Sequence, residues 1–507
     1  MKRNWTTRTS LLMVGMILLL INLIGVNLFF RLDLTDDDVY SLSDASIDIV
    51  KKLDDPVTFK VFFTKDLRPP FSSNLRFLQD KLEDYRAYGG QKIQYDIVDP
   101  GDDDVLRKEA NRFGIPPVQI QVVENDNMQI KNAFMGMAIE YGGKREVIPV
   151  IQDLSSLEYD ITSSIQKLTR TRTPVVGFLS GQGEPAPAKD MKGLNQALQR
   201  NYEVHTVTLK DDALSESPDV LMVVAPTDSL PLALLKSIDS YIMTGGKAAF
   251  LLNRVTTDLR QGRATVNTTG LDGLLANYGI RIAPDLVMDR QSSSISVQRN
   301  MGGFMINQAI DYPFFPIVRR FNPDNQMVNR LREVVLYFAS TIDTTATLPK
   351  GVRLEPLLTS SNQSTIQKGY FSIRPMPAQA PFSGGPYVLA AAYSGTFPSH
   401  YAAGKVSAET RIVALGDGDF INSTLLGQDI PGNDHLAQNM VDWLGQDEAL
   451  LSIRGKSIEP RSLETVSDGL RPIIKYINIL GPSLLVLIFG LFRWRSRKRR
   501  QFIMTHS

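Results

Sequence analysis

The chain has 507 residues, 43% of them hydrophobic and 21% charged, a composition typical of about three folded domains and not of a disordered protein. Its formal net charge of +1 provides no excess of positive charge for nucleic acid, which we do not expect as a partner. The absence of cysteine excludes thiolate catalysis and cysteine-ligated metals, and 4 histidines leave little for histidine chemistry. We therefore expect no catalytic residue, no metal site and no cofactor.

Two apolar stretches lie near the ends of the sequence and predict transmembrane helices at 11–30 and 474–492. Each is long enough for a hydrocarbon core of about 30 Å. No small-residue cleavage site follows the first, so we interpret it as an anchor and not as a signal peptide. Basic residues in the tails 1–10 and 493–507 predict that both termini are cytoplasmic. This places residues 33–471 on the outer, periplasmic side of the inner membrane.

The second apolar stretch contains small or kinking residues, namely Gly481, Pro482, Ser483 and Gly490. Small residues let helices approach closely in lipid, where packing drives association. We therefore expect this span to pack against another membrane subunit. The alternative is a passive tether that any apolar helix could replace.

The first outer module is predicted at 33–172. Its pattern reads β-α-β-α-β-β-α and ends in a helix at 157–169, which is the element order of a thioredoxin-like fold. The turn Gly114–Val118 lies where that fold has a cis-proline before a strand. It is interpreted either as a peptide-binding edge or as a rigid turn. Without cysteine, no thiol–disulfide exchange is available to this module.

The second outer module is predicted at 173–451 and is followed by a linker at 452–471. Apolar runs such as PVVGFLS (174–180) and DVLMVVA (219–225), alternating with helical segments, predict an open α/β sheet buried on both faces. The stretch at about 290–385 loses this alternation and is interpreted as a β-rich insertion. Ligands of open α/β sheets bind beyond the carboxyl ends of the strands.

Several segments together resemble a known family. They are the terminal anchors and the strings FFTKDLRPPF, VGFLSGQGEP, YIMTGGKAAFLLN, VALGDGDFIN and NDHLAQNMVDWL. The chain resembles the GldG-like auxiliary components of ABC transporters associated with bacterial gliding motility. The resemblance implies an α/β domain related to class I glutamine amidotransferases, and partnership with a multi-span permease and a separate cytoplasmic ATPase. This sequence has no P-loop, and the cysteine nucleophile of the amidotransferases is absent.

Candidate site residues follow the predicted strands. Gln182 and Glu184 follow one strand, and Asp417 and Asp419 follow another. If these groups converge, they can bind a cation or act as acid and base. The alternative, which we favour, is that the aspartates cap the next helix or close their own glycine-rich loop.

Two further clusters carry alternatives. Arg254, Arg260 and Arg263 form a basic cluster past a strand end, the last two within a predicted polar loop at 256–268. The cluster is interpreted either as a site for an anionic glycan or lipid headgroup or as an ordinary solvated loop. The aromatic residues of the insertion form either a protein-docking patch or a buried core; they are Tyr312, Phe314 and Phe315.

These observations favour a non-enzymatic, membrane-anchored subunit whose outer domains bind a partner or cargo for an ABC permease. The expected partners are the permease, the ATPase, the lipid bilayer and an envelope protein or glycan. One alternative is a membrane-tethered hydrolase or transferase acting on an envelope substrate through Glu184, Asp417 and Asp419. A second alternative is a purely structural envelope scaffold.

Overall fold

The computed structural model describes residues 41–445, apart from 66, 68–70, 125–126, 152–153, 155, 302–303, 376–381 and 427–429, together with a few isolated positions nearer the ends. The predicted spans, the linker at 452–471 and both tails lie outside this range. Among the described residues, no helix has the length and apolar character needed to cross a membrane. The chain divides into two compact units, 1–457 and 458–507, and every element below belongs to the first.

The first module contains six strands and four helices within the described residues. The strands are β1 (Val57–Phe63), β2 (Ile93–Val98), β3 (Val118–Glu124), β4 (Asn127–Ala133), β5 (Met135–Tyr141) and β6 (Lys144–Ile148). The helices are α1 (Asp44–Lys51), α2 (Asn74–Gly89), α3 (Asp104–Arg112) and α4 (Leu157–Thr169).

Four of these strands form a mixed sheet in the order β2-β1-β5-β6. β1 is parallel to β2 and antiparallel to β5, which in turn is antiparallel to β6. Asn125–Asn127 in the sequence predict a hairpin turn, and the hairpin exists but forms a separate two-stranded sheet of β3 and β4. Alternating residues of β1, including Val57, Phe59 and Val61, are fully buried in the core beneath α2 and α4.

The expected cis-proline is not found at Gly114–Val118. Within the described residues the cis peptide bond is Gly385–Pro386, in the second module. The bonds before Pro116 and Pro117 are therefore trans, and the strand that follows them pairs only in the hairpin. The segment is thus a trans turn ahead of a strand outside the four-stranded sheet.

The second module begins with β7 (Val175–Leu179) and ends with α10 (Pro431–Leu444). Its other helices are α5 (Pro187–Asp190), α6 (Lys192–Leu198), α7 (Leu232–Met243), α8 (Leu271–Asn277) and α9 (Ser423–Leu426). Its other strands are β8 (Glu203–Val207), β9 (Leu209–Lys210), β10 (Ala213–Leu214), β11 (Val220–Val224), β12 (Lys247–Leu251), β13 (Val255–Asp258), β14 (Arg263–Val266), β15 (Asp285–Asp289), β16 (Ser292–Met301), β17 (Phe304–Val318), β18 (Arg320–Phe321), β19 (Val334–Val335), β20 (Val352–Thr359), β21 (Ser364–Lys368), β22 (Phe371–Ser372), β23 (Val388–Gly395) and β24 (Thr410–Leu415).

An eight-stranded sheet forms the centre of this module, in the order β18-β20-β23-β24-β12-β11-β7-β8. The five strands from β24 to β8 are parallel, as the apolar runs predict for a sheet buried on both faces. In β11, Val220 and Met222 pack on the side of α6 and α10, while Leu221 and Val223 pack on the side of α7 and α8.

The predicted β-rich insertion at about 290–385 is not wholly separate from this sheet. β18 and β20 lie within it in sequence, yet they pair antiparallel with each other, and β20 pairs with β23. The remaining strands build small sheets, among them the long hairpin of β16 and β17. The β-like run at 332–340 forms only the short strand β19, and its later residues bond to the loop after β24 at the carboxyl edge of the main sheet.

Candidate functional site

The carboxyl ends of the parallel strands meet at one edge, where four loops are joined by hydrogen bonds. After β11, the backbone N–H groups of Thr227 and Asp228 donate to the carbonyl oxygen of Gln182, each at 3.0 Å. After β12, the side-chain Oδ1 of Asn253 accepts from the backbone N–H of Gly418 at 2.7 Å. The loops after the parallel strands therefore do meet at one edge of the sheet. Hydrogen bonds join the loop after β7 to the loop after β11, and the loop after β12 to the loop after β24.

Asp417 is fully buried and both of its carboxylate oxygens are engaged by the main chain. Oδ2 accepts from the backbone N–H of Tyr337 at 2.6 Å, and Oδ1 accepts from the backbone N–H of Asp419 at 2.7 Å. A further backbone hydrogen bond comes from Phe420, in the short 3₁₀ turn that follows. The side chain thus caps this turn and anchors the segment that crosses the edge.

Burial dominates the electrostatics of this loop. Desolvation raises the pKa of Asp417 well above its ordinary value, and the nearby charge of Asp419 raises it further. The hydrogen bonds to Asp417 lower its pKa, but they do not offset the loss of water. Desolvation also raises the pKa of Asp419, which the Asn253 side chain partly opposes. Both acids of this loop thus have raised pKa values, chiefly because burial removes water from them.

The loop also fits its neighbours with little spare room. A Cβ on Gly416 would overlap the carbonyl oxygen of Ser340, and one on Gly418 would lie 2.5 Å from the carbonyl oxygen of Leu251. Ala225 and Phe338, on either side of the loop, adopt left-handed backbone conformations with φ of 42° and 54°. Such conformations cost non-glycine residues about 1–3 kcal/mol each, so the surrounding contacts must stabilise them.

Glu184 lies in the neighbouring loop and serves a local role. Its Oε2 accepts from the backbone N–H of Gln182 at 2.6 Å, across a turn in which Gly183 has φ of 81°. Its Oε1 is shielded from solvent and has no hydrogen-bond partner. The hydrogen bond of Glu184 is thus local to its own loop, and its convergence with Asp417 and Asp419 stays a prediction.

Arg254 is not an exposed ligand group. It is buried, and its Nη1 donates to the carbonyl oxygen of Asn267 at 2.8 Å and lies 2.9 Å from Oδ1 of Asp272. The predicted loop after it is a hairpin of β13 and β14, with Arg260 and Arg263 exposed. The basic cluster thus separates into a buried structural arginine and two surface arginines.

The aromatic candidates of the insertion belong to its core. Tyr312 is 3% exposed and Phe314 is 1% exposed, and both pack with Phe338 and Phe371. Phe315 is half-buried against the Tyr312 ring. Tyr312 and Phe314 are therefore core residues and are not available as a docking patch, whereas Phe315 is covered only in part.

The membrane-helix candidates fall mostly beyond the described residues. Gly481, Pro482 and Ser483 lie outside them. Gly490 is a described helical position with open space where a Cβ would be. Their predicted role in helix packing stays a prediction.

The arrangement favours a structural role for the aspartates at the carboxyl edge. No group of three or more metal-ligating side chains occurs within the parts of the chain that the structure covers. Sequence reasoning missed Tyr337, whose backbone closes over Asp417 from 80 residues away. It placed Asn253 at the end of a buried strand but did not predict that its side chain joins two loops.

Comparison with known proteins assigns most of the second module to a family. Residues 173–445, just over half of the chain, match the family described as "ABC-type uncharacterized transport system". The chain belongs to this family. The resemblance to an auxiliary ABC transporter component is therefore confirmed, while the narrower GldG-like assignment is not. Residues 36–140 match a second family, described as "Domain of unknown function (DUF7088)".

This member of the transport-system family has a relative in Borreliella burgdorferi, described as an uncharacterized protein. The two are 22% identical over 490 residues, which is 93% of this chain and 94% of the relative. Among solved structures, the mmIFT52 N-terminal domain covers 53% of this chain and 97% of its own, with 14% identity and a TM-score of 0.34.

Proposed function

We propose that the chain is a membrane-anchored, non-enzymatic subunit of an ABC transporter complex, with its outer modules binding a partner or cargo for the permease. The family match over 173–445 carries this proposal. The sequence lacks a P-loop, so the energy for transport has to come from a separate ATPase subunit.

The sequence supports the membrane arrangement. The apolar stretches 11–30 and 474–492 have the length of membrane spans, and basic residues flank both on the terminal side. We propose that residues 33–471 lie on the periplasmic side of the inner membrane. A periplasm-active reporter fused after Arg500 should be inactive, and an active fusion would refute this topology.

Strand order supports the finer fold assignments. The order β2-β1-β5-β6, with a parallel pair followed by two antiparallel strands, is that of a thioredoxin-like sheet, which we propose for 33–172. The five parallel strands of the second module support the relation to class I amidotransferases that the resemblance implies.

The geometry at the carboxyl edge argues against a catalytic role for Asp417. The Asp417 carboxylate accepts hydrogen bonds from the backbone N–H groups of Tyr337, Asp419 and Phe420, and Glu184 accepts from the backbone of its own loop. A general acid or base has to reach a substrate proton directly or through one water. The engaged, fully buried Asp417 is not available for that.

Purification of the full chain in mild detergent tests the proposal. We expect a multi-span permease and an ATPase to co-purify, and Glu184→Ala to leave both assembly and transport intact. Recovery of the chain alone, under conditions that preserve a permease–ATPase complex, contradicts the subunit assignment. Loss of transport in Glu184→Ala with assembly preserved favours the hydrolase or transferase instead.

Replacing the second span separates docking from tethering. We expect that an unrelated apolar helix in place of 476–492 abolishes co-purification with the permease, since Gly481, Ser483 and Gly490 permit close helix packing. If the swapped chain still co-purifies and supports transport, the span is a passive tether and the contacts run through the outer modules.

A further inference from the structure

A small sheet of three strands, β13-β14-β22, covers one part of the second module and buries only one of its faces. On the inner face, Val255, Ala264 and Phe371 pack into the aromatic core of the insertion. Side chains alternate between faces along a strand, so the intervening residues of β13 and β14 point outward.

The outer face presents two cross-strand pairs of polar side chains. Thr256 lies opposite Thr265, and Asp258 lies opposite Arg263 in the antiparallel register. All four residues are exposed. Because the two pairs are separated by two positions on each strand, they form a continuous row of hydroxyl, carboxylate and guanidinium groups on one face.

The two charged residues of this row, Asp258 and Arg263, do not form an ion pair with each other. Within the described residues, no ion pair of 4.0 Å or less joins Asp258 to Arg263, although they are directly opposite each other. Oδ1 of Asp258 accepts from the backbone N–H groups of Arg260 and Gln261, at 2.9 and 3.1 Å, which orients the carboxylate. Its other oxygen and the Arg263 guanidinium remain free to bind a ligand. The row therefore offers an acceptor and a donor side by side.

An aromatic side chain borders the row. Tyr370 is 70% exposed, on a turn that begins at Gly369 with φ of 79°, and Val266, which pairs with Val255 at the end of the sheet, is 44% exposed. Tyr370, Val266, the two polar pairs and Gln261 line a cleft of about 610 Å³. This volume lies within the range of about 300–1,000 Å³ that is typical of sites for small ligands.

We propose that this cleft binds a saccharide chain. A sugar hydroxyl both donates and accepts hydrogen bonds, so it can bridge the Asp258 carboxylate and the Arg263 guanidinium. The threonine hydroxyls and the Gln261 amide supply further partners of the same mixed kind. The C–H face of a sugar ring is apolar and stacks on an exposed aromatic ring such as Tyr370. One acidic and one basic residue line the cleft, which suits a neutral ligand better than a phosphate.

Binding of the full chain, in mild detergent, to an immobilised array of neutral and acidic oligosaccharides tests this site, with inorganic phosphate as a competing probe. We expect retention on neutral oligosaccharides that phosphate does not displace. Tyr370→Ala should weaken retention by about tenfold through loss of ring stacking, whereas Tyr370→Phe should retain it. Because Tyr370 is exposed, its replacement should leave the thermal midpoint unchanged.

The matched control is Tyr88→Ala, since Tyr88 is also an exposed tyrosine, at 39%, but lies in the first module. It should bind as the unmodified chain does. The proposal is overturned if no oligosaccharide is retained, if phosphate displaces what is retained, or if Tyr370→Ala binds as well as Tyr88→Ala. Retention lost equally in both variants would also overturn it, because the binding would then not depend on this cleft.

Discussion

Two clusters of polar side chains in the second module differ in how their hydrogen-bonding capacity is used. At the carboxyl edge, Asp417 is fully buried and its oxygens accept from backbone N–H groups that the fold brings to it. On the outer face of the three-stranded sheet, Asp258 and Arg263 lie opposite each other, exposed and without a mutual ion pair. The first cluster stabilises the fold, and the second is available to a ligand.

The contrast shows that position at the carboxyl end of a strand does not make an aspartate functional. Ligand sites do occur there in open α/β sheets. Here, however, the segment around Tyr337 and Ser340 crosses the edge and covers Asp417. The two clusters differ in whether backbone groups already occupy the hydrogen-bonding positions of the side chains. Four substitutions test this distinction.

The largest effect is expected from Asp417→Ala. It removes the acceptor for the backbone N–H groups of Tyr337, Asp419 and Phe420, and leaves them buried without partners. Each unsatisfied buried group costs about 1–3 kcal/mol, so we expect the unfolding free energy to fall by about 3 kcal/mol or more. Thermal unfolding of the full chain in detergent measures this. An unchanged midpoint of thermal unfolding would mean that the Asp417 carboxylate does not stabilise the fold.

A pH series with Asp417→Asn sharpens the same point. Burial raises the pKa of the Asp417 carboxyl, whereas in the unfolded chain it ionises near pH 4. A group with a raised pKa stabilises the fold below its unfolded pKa, and this contribution is lost as pH rises through the folded pKa. The unmodified chain should therefore lose stability as pH rises from about 4, and Asp417→Asn should lose less. Equal slopes in the two proteins would contradict this.

A smaller change is expected from Glu184→Gln. The amide oxygen can still accept from the backbone N–H of Gln182. The change also removes the negative charge of a carboxylate whose second oxygen, Oε1, has no hydrogen-bond partner. We expect the unfolding free energy to change by less than about 1 kcal/mol. Glu184→Ala, which also removes the acceptor, is the control and should be less stable than Glu184→Gln. A strong loss in Glu184→Gln would show that the carboxylate charge itself is required.

The smallest effect on stability is expected from Thr265→Val. The hydroxyl is exposed on the outer face of β14 and valine keeps the β-branched shape, so we expect a change within about 0.5 kcal/mol. Thermal unfolding of Thr265→Val and Asp417→Ala, measured under the same conditions, tests this. A destabilisation comparable to that of Asp417→Ala would show that the outer row is structural too, and would remove the distinction between the clusters.

Prediction from sequence succeeded where local patterns decide structure. The uninterrupted apolar run of β11 predicts a strand buried on both faces, and all five of its residues are buried. The Asn125–Asn127 segment predicts a hairpin, and Glu124 pairs with Asn127. Prediction was wrong at 256–268, where polar residues suggested a loop. They form a two-stranded hairpin, since a strand needs only one apolar face when the other meets solvent.

The sequence alone determined the parallel core of the second module and excluded cysteine chemistry, because apolar runs and residue counts do not depend on distant contacts. It also identified the loops that meet at the carboxyl edge. Only the tertiary structure decided which polar groups remain available. The Asp417 carboxylate is covered by Tyr337, 80 residues earlier, and Tyr370 reaches β14 only because β22 pairs there. Such pairings depend on the packing of the whole module, so no local pattern encodes them.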